Sequence, residues 1–321
     1  RLERFAALRG AAARPGQLWD AVLLTAADTA QAGAFREQLE EKLRRGELPR
    51  GIRYLVCADP PGPRIGNGGS TLHALRCLEE QFGDQWTSFT VLLIHSGGYS
   101  QRLPNASALG KIFTALPLGD PLFSGGSSIM QSILEPGCVI GQGSVIEYSR
   151  IGAEVSLGNS SIVSGSEINF SVEIPSDCFL SSVSVRINDR VQYVTIVFGV
   201  GDNLKQSVKS LSDIHCLRFF GASFPQCLHL WGMEASEQLF SCEDTRLGLW
   251  TASIFPVCST RGDSVRMSLQ MVNSVQHMSP FKLSGFQLLS VEEMLAYKDV
   301  EDMLKFRKQI YDEICLQRQK V

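Results

Sequence analysis

ILEPGCVIGQGSVIEYSRIGAEVSLGNSSIV, residues 133–163, carries an aliphatic side chain at Ile133, Val139, Val145, Ile151, Leu157 and Val163, one every six residues. The residues between are small or turn-forming, as in CVIGQGS, SRIGAEVS and SLGNSS. An inward residue at that spacing needs a short strand and a corner in each repeat. This is the pattern of a hexapeptide-repeat parallel β-helix, in which one aliphatic side chain per strand points inward and stacks on its equivalent one coil away. The six matches make about two coils, and the register fails at Asn169 and Pro175. Residues 124–175 are therefore expected to form one domain.

The chain on either side differs in kind. Residues 1–123 open with Leu2, Phe5 and Leu8 at helical spacing and then alternate strand and helix. WDAVLLTAAD (19–28), IRYLVCAD (52–59) and FTVLLI (89–94) read as buried strands. The first intervening helix carries Phe35, Leu39 and Leu43 on one face, and the second carries Leu72, Leu75, Leu78 and Phe82. This β-α-β-α-β order predicts a doubly wound parallel sheet, of which three strands are roughly half. Ligands of such sheets sit beyond the carboxyl ends of the strands. Residues 176–321 form a third, mixed region: β signal in SSVSVRI and VQYVTIVFGVG, a middle stretch 203–289 with no clean period, and helices at the end. There Ser290-Val-Glu-Glu293 fits a capping box, and a helical stripe through Met294, Met303, Leu304, Ile310 and Ile314 breaks near Lys298–Asp299. The fold class is thus α/β plus β.

A hydrophobic fraction of 44% and a charged fraction of 20% describe a globular chain. A net charge of −3 exerts no general pull on nucleic acid or anionic membrane, so any anion site must be local. The nine cysteines are scattered without C-x-x-C spacing, which removes zinc and thioredoxin-like readings and fits free thiols in the cytoplasm. No apolar run reaches the ~20 residues that cross a bilayer. Arg261-Gly-Asp, an adhesion-like tripeptide, is read as a coincidence.

Two glycine turns follow predicted strands. In HSGGYSQRLPNASALGK (95–111), Gly97 and Gly98 allow close backbone approach and an anion nest, and Ser100 adds a hydroxyl. Arg102 offers a planar fork for phosphate oxygens and Lys111 a compact charge, a set suited to a triphosphate attacked at its α-phosphorus. This is not a Walker A loop, because Ile112 follows Lys111. The second turn, Gly66-Asn67-Gly68-Gly69-Ser70-Thr71, opens a helix whose positive end suits an anion or a base edge, although Ser70 could equally be a cap. Together they point to a nucleotide site.

IGNGGST (65–71), LLIHSGGYSQRLPNASALGKIFTALPLG (92–119), GSVIEYSRIG (143–152) and LSVEEMLAYKDVEDM (289–303) resemble the fucose-1-phosphate guanylyltransferases, or GDP-fucose pyrophosphorylases. The resemblance implies a nucleotidyltransferase of fucose salvage that uses GTP, fucose 1-phosphate and Mg²⁺. It implies that Gly97, Gly98 and Ser100 cradle the triphosphate, that Arg102 and Lys111 are catalytic, and that Gly66–Thr71 frames the nucleotide. In that family a long stretch separates LPLG from the repeats, whereas here LPLGDPLF runs straight into SGGSSIMQSILEPG. An internally shortened form is implied, lacking the metal-binding acid and the sugar-binding strands, with Asp28 and Asp59 the carboxylates left at strand ends. The alternative is a catalytically inactive binding or inert product. A hexapeptide-repeat acyltransferase is excluded, since no histidine lies between His95 and His215 to act as its base.

Overall fold

The computed structural model describes residues 2–14, 16–98, 102–114, 126–241, 246–283 and 285–319. They fall into two compact units, residues 1–99 with 109–113 and residues 100–108 with 114–321. The domain boundary expected at 123–124 lies outside the described residues.

The first unit contains α1 (Leu2–Leu8), β1 (Ala21–Ala26), α2 (Thr29–Arg44), β2 (Arg53–Ala58), α3 (Gly66–Phe82) and β3 (Val91–His95). Its strands are parallel in the order β2-β1-β3, with Leu23 opposite both Leu55 and Leu93. The chain leaves β1 for one neighbour and crosses back to the other, so the strand order reverses at β1. Asp28 starts α2 by accepting the Gln31 N–H at 2.7 Å. On one sheet face Leu23 and Cys57 pack against Ala74 and Leu78 of α3. The expected leucine stripe of α3 is corrected here: Leu72 is 71% exposed and Leu75 37% exposed, and the buried row is Ser70, Ala74 and Leu78. Three strands offer room for one row of that helix, which leaves its neighbours in solvent.

The second unit begins with α4 (Pro104–Leu109), whose last residue clusters with the first unit. Ten strands follow: β4 (Ser128–Met130), β5 (Ile133–Leu134), β6 (Val139–Ile140), β7 (Val145–Glu147), β8 (Arg150–Ile151), β9 (Val155–Leu157), β10 (Ile162–Ser164), β11 (Glu167–Ile168), β12 (Val172–Ile174) and β13 (Cys178–Ile187). They build three parallel sheets, β13-β10-β7-β4, β11-β8-β5 and β12-β9-β6. Paired residues such as Ile146 and Val163, Ile151 and Ile168, and Leu157 and Ile174 are 17 positions apart. Serines mark the corners at the same interval. The Ser144 hydroxyl accepts from the Ser161 N–H and the Ser149 hydroxyl from the Ser166 N–H, both at 3.1 Å. Gly158 is required where successive turns meet, because a Cβ there would lie 2.4 Å from the Ser176 nitrogen.

A return of 17 rather than 18 residues corrects the inward frame. The buried columns are Ile146, Val163 and Leu180; Ile151 and Ile168; and Leu157 and Ile174. Steps within a turn are therefore six, six and five residues, the short one running from Ile146 to Ile151 and again from Val163 to Ile168. Val163, Leu157 and Ile151 lie inside as expected. Upstream of the short step the six-residue frame slips by one: Val139 is 60% exposed, Val145 is half-buried, and Ile146 takes the inner place. Ile133 is still buried, at the start of the stack. Downstream, the same step explains the apparent failure at Asn169 and Pro175, since Ile168 and Ile174 continue the columns.

β13 pairs along its whole length with the antiparallel β14 (Arg190–Gly199). The remainder adds α5 (Phe224–Leu230), α6 (Arg261–Gln276), α7 (Val291–Ala296) and α8 (Val300–Arg318). Phe198, Phe219, Phe255 and Trp231 form an edge-to-face aromatic cluster beneath them. The Ser290–Glu293 capping box is present, and α7 and α8 are separated where the sequence predicts the break. Arg261 of the adhesion-like tripeptide is buried and bonded to Ser184 and Asp302.

Candidate functional site

Both glycine turns of the first unit meet around one cavity of about 320 Å³ beyond the carboxyl ends of the three strands. Gly66, Asn67 and Ser70 line it from the start of α3, Gly97 and Gly98 from the end of β3, and Asp28 and Asp59 from the ends of β1 and β2. Thr25, Arg64 and His95 complete the polar lining.

Local chemistry shapes each wall. Gly98 has φ +101° and Gly66 φ +66°, left-handed conformations that other residues rarely adopt. A Cβ on Gly69 would lie 2.6 Å from Cβ of Ile65, so the first turn of α3 needs glycine there. No side chain caps α3 at its start. Ser96, buried behind the Gly97–Gly98 turn, donates to the Thr25 carbonyl at 2.9 Å and ties β3 to β1. Thr71 donates to the Asn67 carbonyl at 2.8 Å, so its oxygen accepts from His95 Nε2 at 3.1 Å, while His95 Nδ1 faces Thr25 Oγ1 at 3.5 Å. His95 thereby braces two elements that border the cavity.

The other expected residues are placed differently. Gly68, Gly69 and Thr71 belong to the turn but stand behind its lining. Lys111 is exposed in a short 3₁₀ turn, Lys111–Phe113, anchored through Phe113 edge-to-face on Phe35 at 5.5 Å. Arg102 belongs to the second unit, where it donates to the Asp202 carbonyl at 2.7 Å and lies over the Phe179 ring. Ser100 lies outside the described residues. Asp59 was expected only as a carboxylate left at a strand end, and His95 was not expected at all, since a lone histidine there leaves no local pattern to find. Burial pushes the nearby thiol of Cys57 up to about 12, reinforced by its hydrogen bond with Cys77, so it is an inert thiol.

A crevice at the carboxyl edge of a parallel sheet, where the strand order reverses, is the ligand site of open-sheet α/β proteins, and this chain is of that class. The fucose pyrophosphorylase domain model matches residues 83–124 and 121–260. The chain is 32% identical to the fucose-1-phosphate guanylyltransferase of Homo sapiens over 571 positions, covering 98% of this chain and 94% of the relative. The Mus musculus enzyme of the same name is 31% identical, covering 98% of this chain and 96% of the relative. An Arabidopsis thaliana bifunctional fucokinase/GDP-fucose pyrophosphorylase is 34% identical over 119 positions, 31% of this chain and 11% of that protein. The chain belongs to the fucose pyrophosphorylase family. No solved structure matches it. With 571 aligned positions against 321 residues, at least 250 positions of the alignment have no counterpart in this chain. The two segments matched by the family model overlap at residues 121–124.

Proposed function

We propose that the chain acts on GTP and fucose 1-phosphate, transferring GMP to the sugar phosphate to give GDP-fucose and pyrophosphate in fucose salvage. Family membership supports the reaction, and the cavity that joins both glycine turns at the carboxyl edge of the sheet supports its location. A phosphate oxygen of the sugar phosphate attacks the α-phosphorus, and the bond to the β-phosphate oxygen breaks as pyrophosphate leaves. Gly97 and Gly98, with Ser100, offer backbone and hydroxyl donors to the phosphates, and Gly66–Thr71 frames the nucleotide. Lys111 and Arg102 neutralise the developing charge, worth typically ~3–4 kcal/mol for one preorganised group. We read the three parallel sheets with their 17-residue return as a hexapeptide-type parallel β-helix, and the β2-β1-β3 sheet as part of a doubly wound nucleotidyltransferase domain.

The magnesium ion that the resemblance implies would find two carboxylates at the cavity, Asp28 and Asp59. Among the described residues no group of three acidic, histidine or cysteine side chains is poised for a metal. Asp28 has one oxygen committed to the cap of α2, and Asp59 has one held by Ser70 at 2.6 Å. Because at least 250 aligned positions have no counterpart in this chain, a second reading qualifies the first for this polypeptide: it binds GTP and performs the transfer only poorly. Losing orientation of the attacking phosphate removes about 7–11 kcal/mol of catalytic advantage, more than two cations restore. Among the described residues no helix is long and apolar enough to cross a membrane. Coupled pyrophosphate release with GTP, fucose 1-phosphate and Mg²⁺ tests both readings. GTP binding without sustained turnover is expected; turnover abolished by Arg102→Ala would overturn the second reading and establish the first for this chain.

A further inference from the structure

We propose that Asp59 reads the guanine edge of the nucleotide, which places the base at the Gly66–Ser70 turn and the phosphates at Gly97–Gly98. This rests on the nucleotide assignment of the cavity made above. Asp59 is held from two directions. Its backbone N–H donates to the Ala26 carbonyl at 2.8 Å, its Oδ1 accepts from the buried Ser70 hydroxyl at 2.6 Å, and both residues line the cavity. No protein donor reaches Oδ2 among the described residues, and its residue is only half-buried.

Charge decides which end of the nucleotide lies there. Asp59 stands beside the start of α3, where a carboxylate disfavours a triphosphate, whereas the Gly97–Gly98 turn presents bare backbone; Asp28 and Arg64 line the same cavity. Hydrogen-bond chemistry decides which base. An ionised carboxylate only accepts. Guanine offers two adjacent donors, N1–H and the N2 amine, beside an O6 acceptor. Adenine and cytosine set a donor beside an acceptor on that edge, and uracil has one donor between two acceptors. The uncapped first turn of α3 supplies backbone N–H groups of the kind that O6 requires.

Calorimetric titration of the full chain with GTP, ITP, XTP and ATP, with EDTA and again with Mg²⁺, tests this. ITP lacks the N2 amine and should bind about 10- to 100-fold more weakly than GTP, with ATP weaker still. Asp59→Asn keeps an oxygen for Ser70 and turns an amide N–H₂ toward the base, so it should lose the preference for GTP and gain XTP, whose O2 replaces the amine. Circular dichroism of the variant checks that it folds. A GTP preference unchanged in Asp59→Asn, or equal binding of GTP and ATP by the unaltered chain, would overturn the role of Asp59 and leave the nucleotide site standing. Loss of all four nucleotides only when Mg²⁺ is present would make Asp59 a metal ligand instead. No nucleotide binding by the unaltered chain would overturn both the cavity assignment and this one.

Discussion

Asp202 shows how one buried side chain sets a pH dependence. Its carboxylate accepts the Gly199 and Phe220 N–H groups, each at 2.8 Å, at the end of β14. Burial raises its pKa to about 6, outweighing those two donors and the nearby Arg102 charge, which pull it down. The folded state therefore holds the proton more tightly than the unfolded chain does. The resulting stability is fully present below about pH 4 and is lost as pH rises through about 6. The loss is on the order of 3 kcal/mol. Urea denaturation of the native chain and Asp202→Asn across pH 4–7 should show the native chain losing that much relative to the variant; parallel curves would refute it. Legibility at this scale followed residue type. Gly66–Gly69 and Gly97–Gly98 were visible because glycine marks positions that a side chain would block, as at Gly69 against Ile65. His95 and Asp202 were not, and Asp59 was visible only as a carboxylate at a strand end, because each acts through a partner distant in sequence: Thr71 and Thr25, Phe220, and Ser70.

Among the elements, the repeated strands were legible in kind but not in frame. A strict six-residue count holds along two sides of each turn and fails on the third, where Ile146 to Ile151 is five. Nothing local announces the shorter corner, since Val145 and Ile146 are both aliphatic and either could point inward. The pairing of Ile146 with Val163 settles it, and the two frames differ in a measurable way. Ile146→Asp puts a carboxylate into a column that is 0% exposed and should cost more than about 3 kcal/mol, whereas Val139→Asp, at a 60% exposed position, should stay within about 0.5 kcal/mol. Chemical denaturation of the two variants checks this, and the reverse order would restore the six-residue frame. α6 was missed for a different reason. Its signals, the Thr260 cap accepting from the Asp263 N–H and the Val265, Leu269 and Val272 row, sit within a Ser- and Gly-containing segment whose buried face also includes Ser264 and Ser268. Those serines bond to Arg261 and Thr195 carbonyls, so polar residues occupy a core face that composition reads as exposed. β13 likewise alternates Ser and Val in sequence yet is buried on both faces, its Ser182 hydroxyl bonded to Ser166 and Thr195.

For the whole molecule, the division into two units predicts two unfolding steps rather than one. The first unit rests on a three-stranded sheet in which only β1 is fully buried; β2 and β3 are half-buried edge strands, and Leu72 and Leu75 of α3 stay in solvent. The second unit stacks its inner columns without interruption into the β13–β14 hairpin, whose centre is buried on both faces and covered by α6. Stability in a stacked array accumulates through neighbour contacts, whereas a sheet with two open edges among the described residues has little to add. The first unit should therefore unfold at lower denaturant. Amide exchange should be faster over β2, β3 and α3 than over residues 145–199, with β1 the best protected strand of its sheet. Ligand separates the units further. A ligand that binds only the folded first unit stabilises it by about 2.7 kcal/mol at a hundredfold excess over its dissociation constant. GTP should thus move the first transition to higher denaturant and leave the second in place. The measurement is urea unfolding followed by near-ultraviolet circular dichroism, with exchange mass spectrometry assigning each step to its residues. A single transition shifted as a whole by GTP would show that the two units unfold as one cooperative body, and equal exchange in both would show that the three-stranded sheet is as stable as the stacked strands.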